Sequence, residues 1–192
     1  MILIVNTTSD PSITDEVRKQ LLDCENNNDL NQRRASKENR SVDPSASSTT
    51  DIQIIEAGTM EISHCIGCNY CWLKTPGVCS IHDDYEQILK QVVHADQLWV
   101  ISDTALGFLN HKGKNIFDRI LPIATMYLKF HNKQMRHVRR YKQTTDIGLI
   151  IKGECDREYL ERWNKRAALN FGSKSLGVYS TEEVKEAVAC MF

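Results

Sequence analysis

The chain opens on Met1–Val5 (MILIV), a continuously apolar run of the kind expected for a strand buried on both faces. A polar turn, Asn6–Pro11, follows. Ile13–Leu22 then places apolar residues at 13, 17, 21 and 22, a helical spacing. The pattern stops at residues 24–50, CENNNDLNQRRASKENRSVDPSASSTT, which are almost free of apolar side chains. Such a segment buries too little surface to offset the entropy of ordering it, which predicts a flexible polar insertion. Periodicity resumes with a second strand in DIQIIEAG at 51–58 and a cysteine-rich loop. Asp84–Ala95 reads as an amphipathic helix, with apolar residues at 85, 88, 89, 92 and 93 and acidic residues at its start. Gln97–Ser102 reads as a third strand, and Lys114–Leu121 as a helix that Pro122 ends or kinks. Residues 131–143 read as basic and irregular. Asp146–Ile151 is the fourth expected strand, Glu154–Leu169 a helix, Ser175–Tyr179 the fifth strand and Thr181–Ala189 a closing helix.

Five short apolar strands alternating with helices predict an α/β domain: an open parallel sheet covered on both faces. Ligands of such sheets sit at the carboxyl ends of the strands, near the switch in strand order. That rule gathers the loops 6–14, 103–113 and 152–158 around one crevice and puts the cysteine loop on the same rim.

A length of 192 residues suits a single domain over 1–192 with a proper core. With 24 Lys+Arg against 25 Asp+Glu and a formal net charge of -1, nothing global argues for nucleic acid or an anionic membrane. The longest apolar runs, such as LWVI at 98–101, are far too short to span a bilayer, and the N-terminus lacks the features of a signal peptide. These features read as a soluble, cytoplasmic protein. In a reducing cytosol, clustered cysteines are metal ligands or redox groups more often than disulfides.

Four of the seven cysteines fall within CIGCNYCWLKTPGVC, residues 65–79. The spacing C-x-x-C-x-x-C-x7-C of Cys65, Cys68, Cys71 and Cys79 suits a [4Fe–4S] cluster, because two-residue gaps let successive sulfurs reach different corners of a cube. Gly67 permits a tight turn between the first ligands, and Pro76-Gly77 turns the chain back toward Cys79. Zinc is the rival metal, although zinc sites more usually pair two C-x-x-C knuckles. Packed or redox-active thiols are the remaining alternative. The loop Asn6–Thr14 offers hydroxyls at Thr7, Thr8, Ser9, Ser12 and Thr14 beside a helix N-terminus, a setting for a phosphate. It holds no lysine, arginine or glycine and carries Asp10, so helix capping by Ser12 or Thr14 is the competing reading. Tyr70, Trp72 and Phe108 lie in rim loops and either stack on a planar ring or simply pack. Residues 131–142, HNKQMRHVRRYK, carry five Lys or Arg and no acid: a solvated loop, or a contact for dinucleotide phosphates or an acidic partner.

CIGCNYC with Cys79 and Asp83-Asp84, followed by GFLNHKGKNIFDRILP at 107–122 with Lys114, Asp118 and Arg119, resembles the NADPH-dependent FMN reductase and iron–sulfur flavoprotein group of the flavodoxin-like superfamily. The resemblance implies a flavodoxin-like three-layer sandwich with a five-stranded parallel sheet in the order 2-1-3-4-5. It implies FMN at the strand carboxyl ends, NAD(P)H or a reduced carrier as electron donor, and a homodimer or homotetramer with a possible redox protein partner. In the iron–sulfur branch the four cysteines hold a [4Fe–4S] cluster that exchanges electrons with the flavin. On that reading Thr7, Thr8, Ser12 and Thr14 hold the phosphate, while Thr104, Ala105, Leu106, Gly107 and Gly153 border the isoalloxazine, with no side chain nominated as catalytic. Two loops depart from the family pattern. Thr7, Ser9 and Asp10 stand where it has glycine, proline and a basic residue, and the second flavin loop, Ser102–Gly107, lacks its proline and aromatic residue. The other reading is a scaffold of the same fold that has lost FMN, with structural or zinc-binding cysteines.

Overall fold

Isoleucine, leucine and valine fill the strands that this chain buries, and their order along the sequence sets the sheet. The computed structural model describes residues 1–37, 51–131 and 133–192. In chain order the elements are β1 (Ile2–Asn6), α1 (Ser12–Lys37), β2 (Ile52–Glu56), α2 (Tyr70–Leu73), α3 (Tyr85–Val92), β3 (Gln97–Ala105), β4 (Phe108–Leu109), α4 (His111–Asp118), β5 (Ala124–His131), β6 (Gln134–Arg139), β7 (Asp146–Lys152), α5 (Arg157–Phe171), β8 (Ser175–Ser180) and α6 (Val184–Ala189).

β2, β1, β3, β7 and β8 lie side by side in that order, all parallel. Counted among the parallel strands alone, this is the order 2-1-3-4-5. β1 is central and buried along its whole length, pairing Ile2 with Ile52 on one side and with Gln97 on the other. The alternation of the strands divides the core in two. Leu3, Val5, Leu98, Val100 and Leu149 pack beneath α3, α4 and α5, while Ile2, Ile4, Trp99 and Ile101 pack beneath α1 and α6. Gly148 on β7 is required by that second layer, since a Cβ there would lie 2.4 Å from the Trp99 ring.

The structure corrects four of the expected elements. α1 runs on to Lys37, so residues 24–37 of the expected insertion are helical; the rest of that span lies outside the described residues. No proline or glycine interrupts Ser12–Lys37, and its Lys, Arg, Gln, Glu, Leu and Ala residues are good helix formers. The helix expected over Lys114–Leu121 starts earlier, at His111, where the Asn110 side chain accepts a hydrogen bond from the Gly113 N–H at 2.8 Å. The stretch expected to be irregular over 131–143 supplies half of an antiparallel hairpin, β5–β6, separate from the main sheet. Its Thr, Tyr, Phe and Val residues favour strand, but the residues between them are basic and the apolar ones are exposed. Finally, β3 continues through Ala105 and folds back as β4. Among the described residues no helix is long and apolar enough to cross a membrane.

Candidate functional site

The cysteine segment leaves the end of β2 and descends along α4. The Asn115 side-chain amide donates to the Ile62 carbonyl at 2.9 Å and fixes that path. Gly67 (φ +68°) and Asn69 (φ 59°) take the left-handed conformation on either side of Cys68, and α2 then carries Cys71 inward. Gly77 (φ +89°) turns the chain back, its N–H donating to the Cys71 carbonyl at 2.9 Å. As a result Cys65, Cys68, Cys71 and Cys79 line one cavity, which no carboxylate lines. Cys71 is buried and the other three are half-buried. Burial pushes the Cys71 thiol up, and the three neighbouring sulfurs add to the shift. The Ser80 hydroxyl, 3.3 Å from the Cys68 sulfur, draws that thiol below its ordinary value.

Arg119 closes the inner wall of this cavity. Its side chain is fully buried and bonds Asp83 Oδ2 at 2.5 Å, while Nη2 donates toward the Cys79 sulfur at 3.5 Å. Further donations go to the carbonyls of Ser63 and Ile81, and the guanidinium lies 4.5 Å from the centre of the buried Tyr85 ring. Burial alone would raise the Asp83 carboxyl, but the hydrogen bonds from Arg119 and the Ser63 N–H bring it below the usual carboxylate value. The Asp83-Asp84 block and the Asp118-Arg119 block, 36 residues apart at the Asp83–Arg119 contact, thus meet at the thiols. Among the described residues no three His, Cys, Asp or Glu side chains gather tightly enough to hold a single metal ion. Tetrahedral zinc needs its sulfurs about 2.3 Å from one point, whereas a cubane places each ligand sulfur on its own iron.

At the carboxyl ends of the strands the expected phosphate loop is hydrogen-bonded largely within itself. Asn6, fully buried, donates to the Asp10 carbonyl, the Thr14 hydroxyl and Glu56, and it accepts from the Thr8 N–H and hydroxyl. The Thr7 hydroxyl donates to the Ile101 carbonyl at 2.8 Å. Thr7, Thr8 and Thr14 are therefore buried and engaged, not presented to a crevice. Neither Ser12 nor Thr14 caps α1: Asp10 accepts from the Ser12 N–H at 3.0 Å and the Ser12 hydroxyl at 2.6 Å. The other Asp10 oxygen meets the Lys152 ammonium at 2.7 Å, and this hydrogen bond, with those from Ser12, holds the carboxyl down at about 2. The cation missing from the loop thus arrives from the end of β7. Strand order was the signal for it, since β7 lies one strand beyond β3 from β1 and ends on the same rim, within reach of a lysine side chain. In this structure Lys152 is engaged by Asp10, the one carboxylate of the loop.

The remaining predicted residues converge. Thr104 and Ala105 pair with Leu109 and Phe108, and the two residues between them, Leu106 (φ 53°) and Gly107 (φ +75°), make a two-residue hairpin turn. Gly153 (φ +104°) abuts Thr104, and the Gly107 carbonyl accepts from the Asp156 N–H. Leu106 projects fully into solvent from this rim. The aromatic residues pack: Trp72 lies against His137 and donates to the Leu121 carbonyl, Phe108 meets Tyr159 and Trp163 edge-on, and Lys74 covers Tyr70.

No protein-family model matches the chain. An iron-sulfur flavoprotein of Methanocaldococcus jannaschii is 34% identical over 73 residues, which span 38% of this chain and 37% of that relative. Among solved structures, RosB with bound 8-demethyl-8-formylriboflavin-5'-phosphate superposes with a TM-score of 0.56 at 10% identity, covering 98% of this chain and 75% of RosB. An FMN-dependent NADH-azoreductase from Bacillus anthracis str. Ames Ancestor, in complex with FMN, gives 0.51 at 16% identity, covering 99% and 98%. At such identities the superpositions establish the fold. The chain is a flavodoxin-like α/β protein that resembles the iron–sulfur flavoproteins.

Proposed function

We propose that this protein is a flavin-dependent oxidoreductase, taking electrons from NAD(P)H or a reduced carrier, with FMN at the strand carboxyl ends and a [4Fe–4S] cluster on Cys65, Cys68, Cys71 and Cys79. The observation that carries the reading is the convergence of the four thiols and the buried Arg119–Asp83 pair on one cavity. The partial likeness to an iron-sulfur flavoprotein supports it, as do the flavins held by two proteins of the same fold. When bound, the flavin supplies two-electron and one-electron chemistry and the cluster one-electron chemistry; the protein supplies position and electrostatics. Arg119 offsets negative charge on the sulfurs and donates to Cys79. Lys152 offers the flavin phosphate a cation, and Thr104, Gly107 and Gly153 form the rim beside the ring. The scaffold reading draws only on Asp10, whose carboxylate stands at the phosphate position. Assembly as a homodimer or homotetramer in the cytoplasm completes the proposal.

The test is anaerobic purification with flavin, iron and zinc analysis. Bound flavin, about four iron atoms per chain and a broad visible absorbance bleached by dithionite are expected, with iron lost in Cys68→Ser. A colourless protein that neither contains iron nor binds added FMN sinks the proposal.

A further inference from the structure

A second cavity, of about 300 Å³, opens between the β5–β6 hairpin and the last turn of α5, and Lys129, His131, Arg136, His137 and Arg139 line it without any acid. Lys129 and Arg136 face each other directly across the hairpin. Like charges opposed in this way destabilise a strand pair unless something lies between them. Among the described residues no carboxylate forms an ion pair with Lys129, Arg136 or Arg139.

Neutral acceptors take up part of this donor set. Arg136 donates to the Leu169 carbonyl at the end of α5 and to the Gln134 side chain, a sensible use of a cation at a helix C-terminus. That use is incomplete. Arg136 is only 8% exposed, yet its Nε has no partner, and the buried Nη1 of Arg139 has none either. A cavity of small-molecule size walled by two incompletely partnered guanidinium groups, a lysine and two histidines suits an anion with several oxygens.

We infer that this cavity binds a phosphate-bearing small anion, best a diphosphate group, held by Arg136, Arg139 and Lys129. Arginine forks match phosphate oxygens in pairs, and one diphosphate can meet all three cations. The site is separate from the flavin crevice. Leu169, Asn170, Gly172 and Ser173, at the end of α5 and just past it, lie toward the amino end of β8, whereas the crevice lies at the carboxyl ends. The inference does not depend on the cofactors proposed above.

Isothermal titration calorimetry of the full chain with pyrophosphate, inorganic phosphate and ADP tests it. Saturable pyrophosphate binding is expected, tighter than that of phosphate and weaker at high salt. Arg139→Gln and Lys129→Gln should each weaken it about tenfold or more, as loss of a charge-assisted hydrogen bond predicts. Lys129 is exposed, so its variant keeps the test sound if the Arg139 variant folds poorly. ADP binding more tightly than pyrophosphate would support the inference and mark a nucleotide source. No saturable binding of pyrophosphate at millimolar concentration overturns it, as do both variants binding like the wild type. A short single-stranded oligonucleotide binding more tightly than any of the three overturns it in favour of a nucleic-acid surface.

Discussion

Arg119 buries a full positive charge against Asp83, and neither residue has water to fall back on. Removing one partner of such a pair strands the other, which typically costs about 3–5 kcal/mol. Arg119→Met should therefore lower the unfolding free energy of the metal-free protein by that amount in urea titrations. The double variant with Asp83→Asn should recover a good part, because it removes the stranded carboxylate. The second ion pair behaves differently. Asp10 is exposed enough to stay ionised, with its native carboxyl held at about 2 against an ordinary 3.8. A depressed native value makes the pair stabilising above the ordinary value, and the contribution is lost as pH falls through the native one. The melting difference between wild type and Asp10→Asn should thus be constant from about pH 5 to 8 and close only in stronger acid. The same substitution frees Lys152. FMN affinity should rise relative to riboflavin in Asp10→Asn and fall in Lys152→Met, read by quenching of flavin fluorescence. Equal FMN-to-riboflavin ratios in all three proteins would remove Lys152 from the site. Lys152 could be found only through the fold: it lies 142 residues from Asp10, and the sheet brings the ends of β1 and β7 to one rim, where the lysine side chain reaches past β3.

The elements that were legible from the sequence share one property, a face or a run that must be apolar. β1 is buried along its whole length and β3 from Leu98 to Ser102, and α3 shows its stripe at Tyr85, Ile88, Leu89 and Val92. The β5–β6 hairpin carries no such mark, because Met126, Tyr127, Leu128 and Phe130 are exposed on both faces and leave no period to read. The far half of α1 is polar along its length and was hidden for the same reason. The cysteine block was legible through spacing; its contact with Arg119 was not, since nothing local in either segment states that they touch. The β3–β4 turn is a third kind of case. Leu106 holds a left-handed φ that costs a non-glycine residue roughly 1–2 kcal/mol, and its side chain packs on nothing. Strain kept at an exposed leucine on a ligand rim points to use. Leu106→Gly should raise the unfolding free energy by about 0.5–1 kcal/mol, less than the full relief because glycine is freer in the unfolded chain. It should weaken flavin binding if the leucine covers the ring, and unchanged affinity would make the residue a tolerated misfit.

Across the whole molecule, charge is sorted although the total is nearly balanced. Residues 119–145 hold seven Lys or Arg and no acid, in a chain of net charge -1, so the compensating carboxylates lie elsewhere. This basic tract begins at the thiol cavity with Arg119 and ends beyond the cavity that Arg136 and Arg139 share with α5. The crevice proposed for FMN stands at the other end of α5, whose 15 residues span about 22 Å. That distance exceeds the screening length of roughly 8 Å at physiological salt by more than twofold, so direct electrostatic coupling between the two ends is small. Both proposed ligands bind the folded chain, and each should raise its stability through mass action. With no coupling the two gains add. Melting curves with FMN alone, pyrophosphate alone and both together should therefore give additive stabilisation, and the FMN dissociation constant should be the same with and without saturating pyrophosphate. Competition would place both anions at one site and withdraw the separate cavity. A tightening of FMN by pyrophosphate would instead mean that α5 transmits the occupancy of its last turn to Gly153 and Asp156 at its start, and that linkage must appear with equal size in the pyrophosphate affinity when FMN is bound.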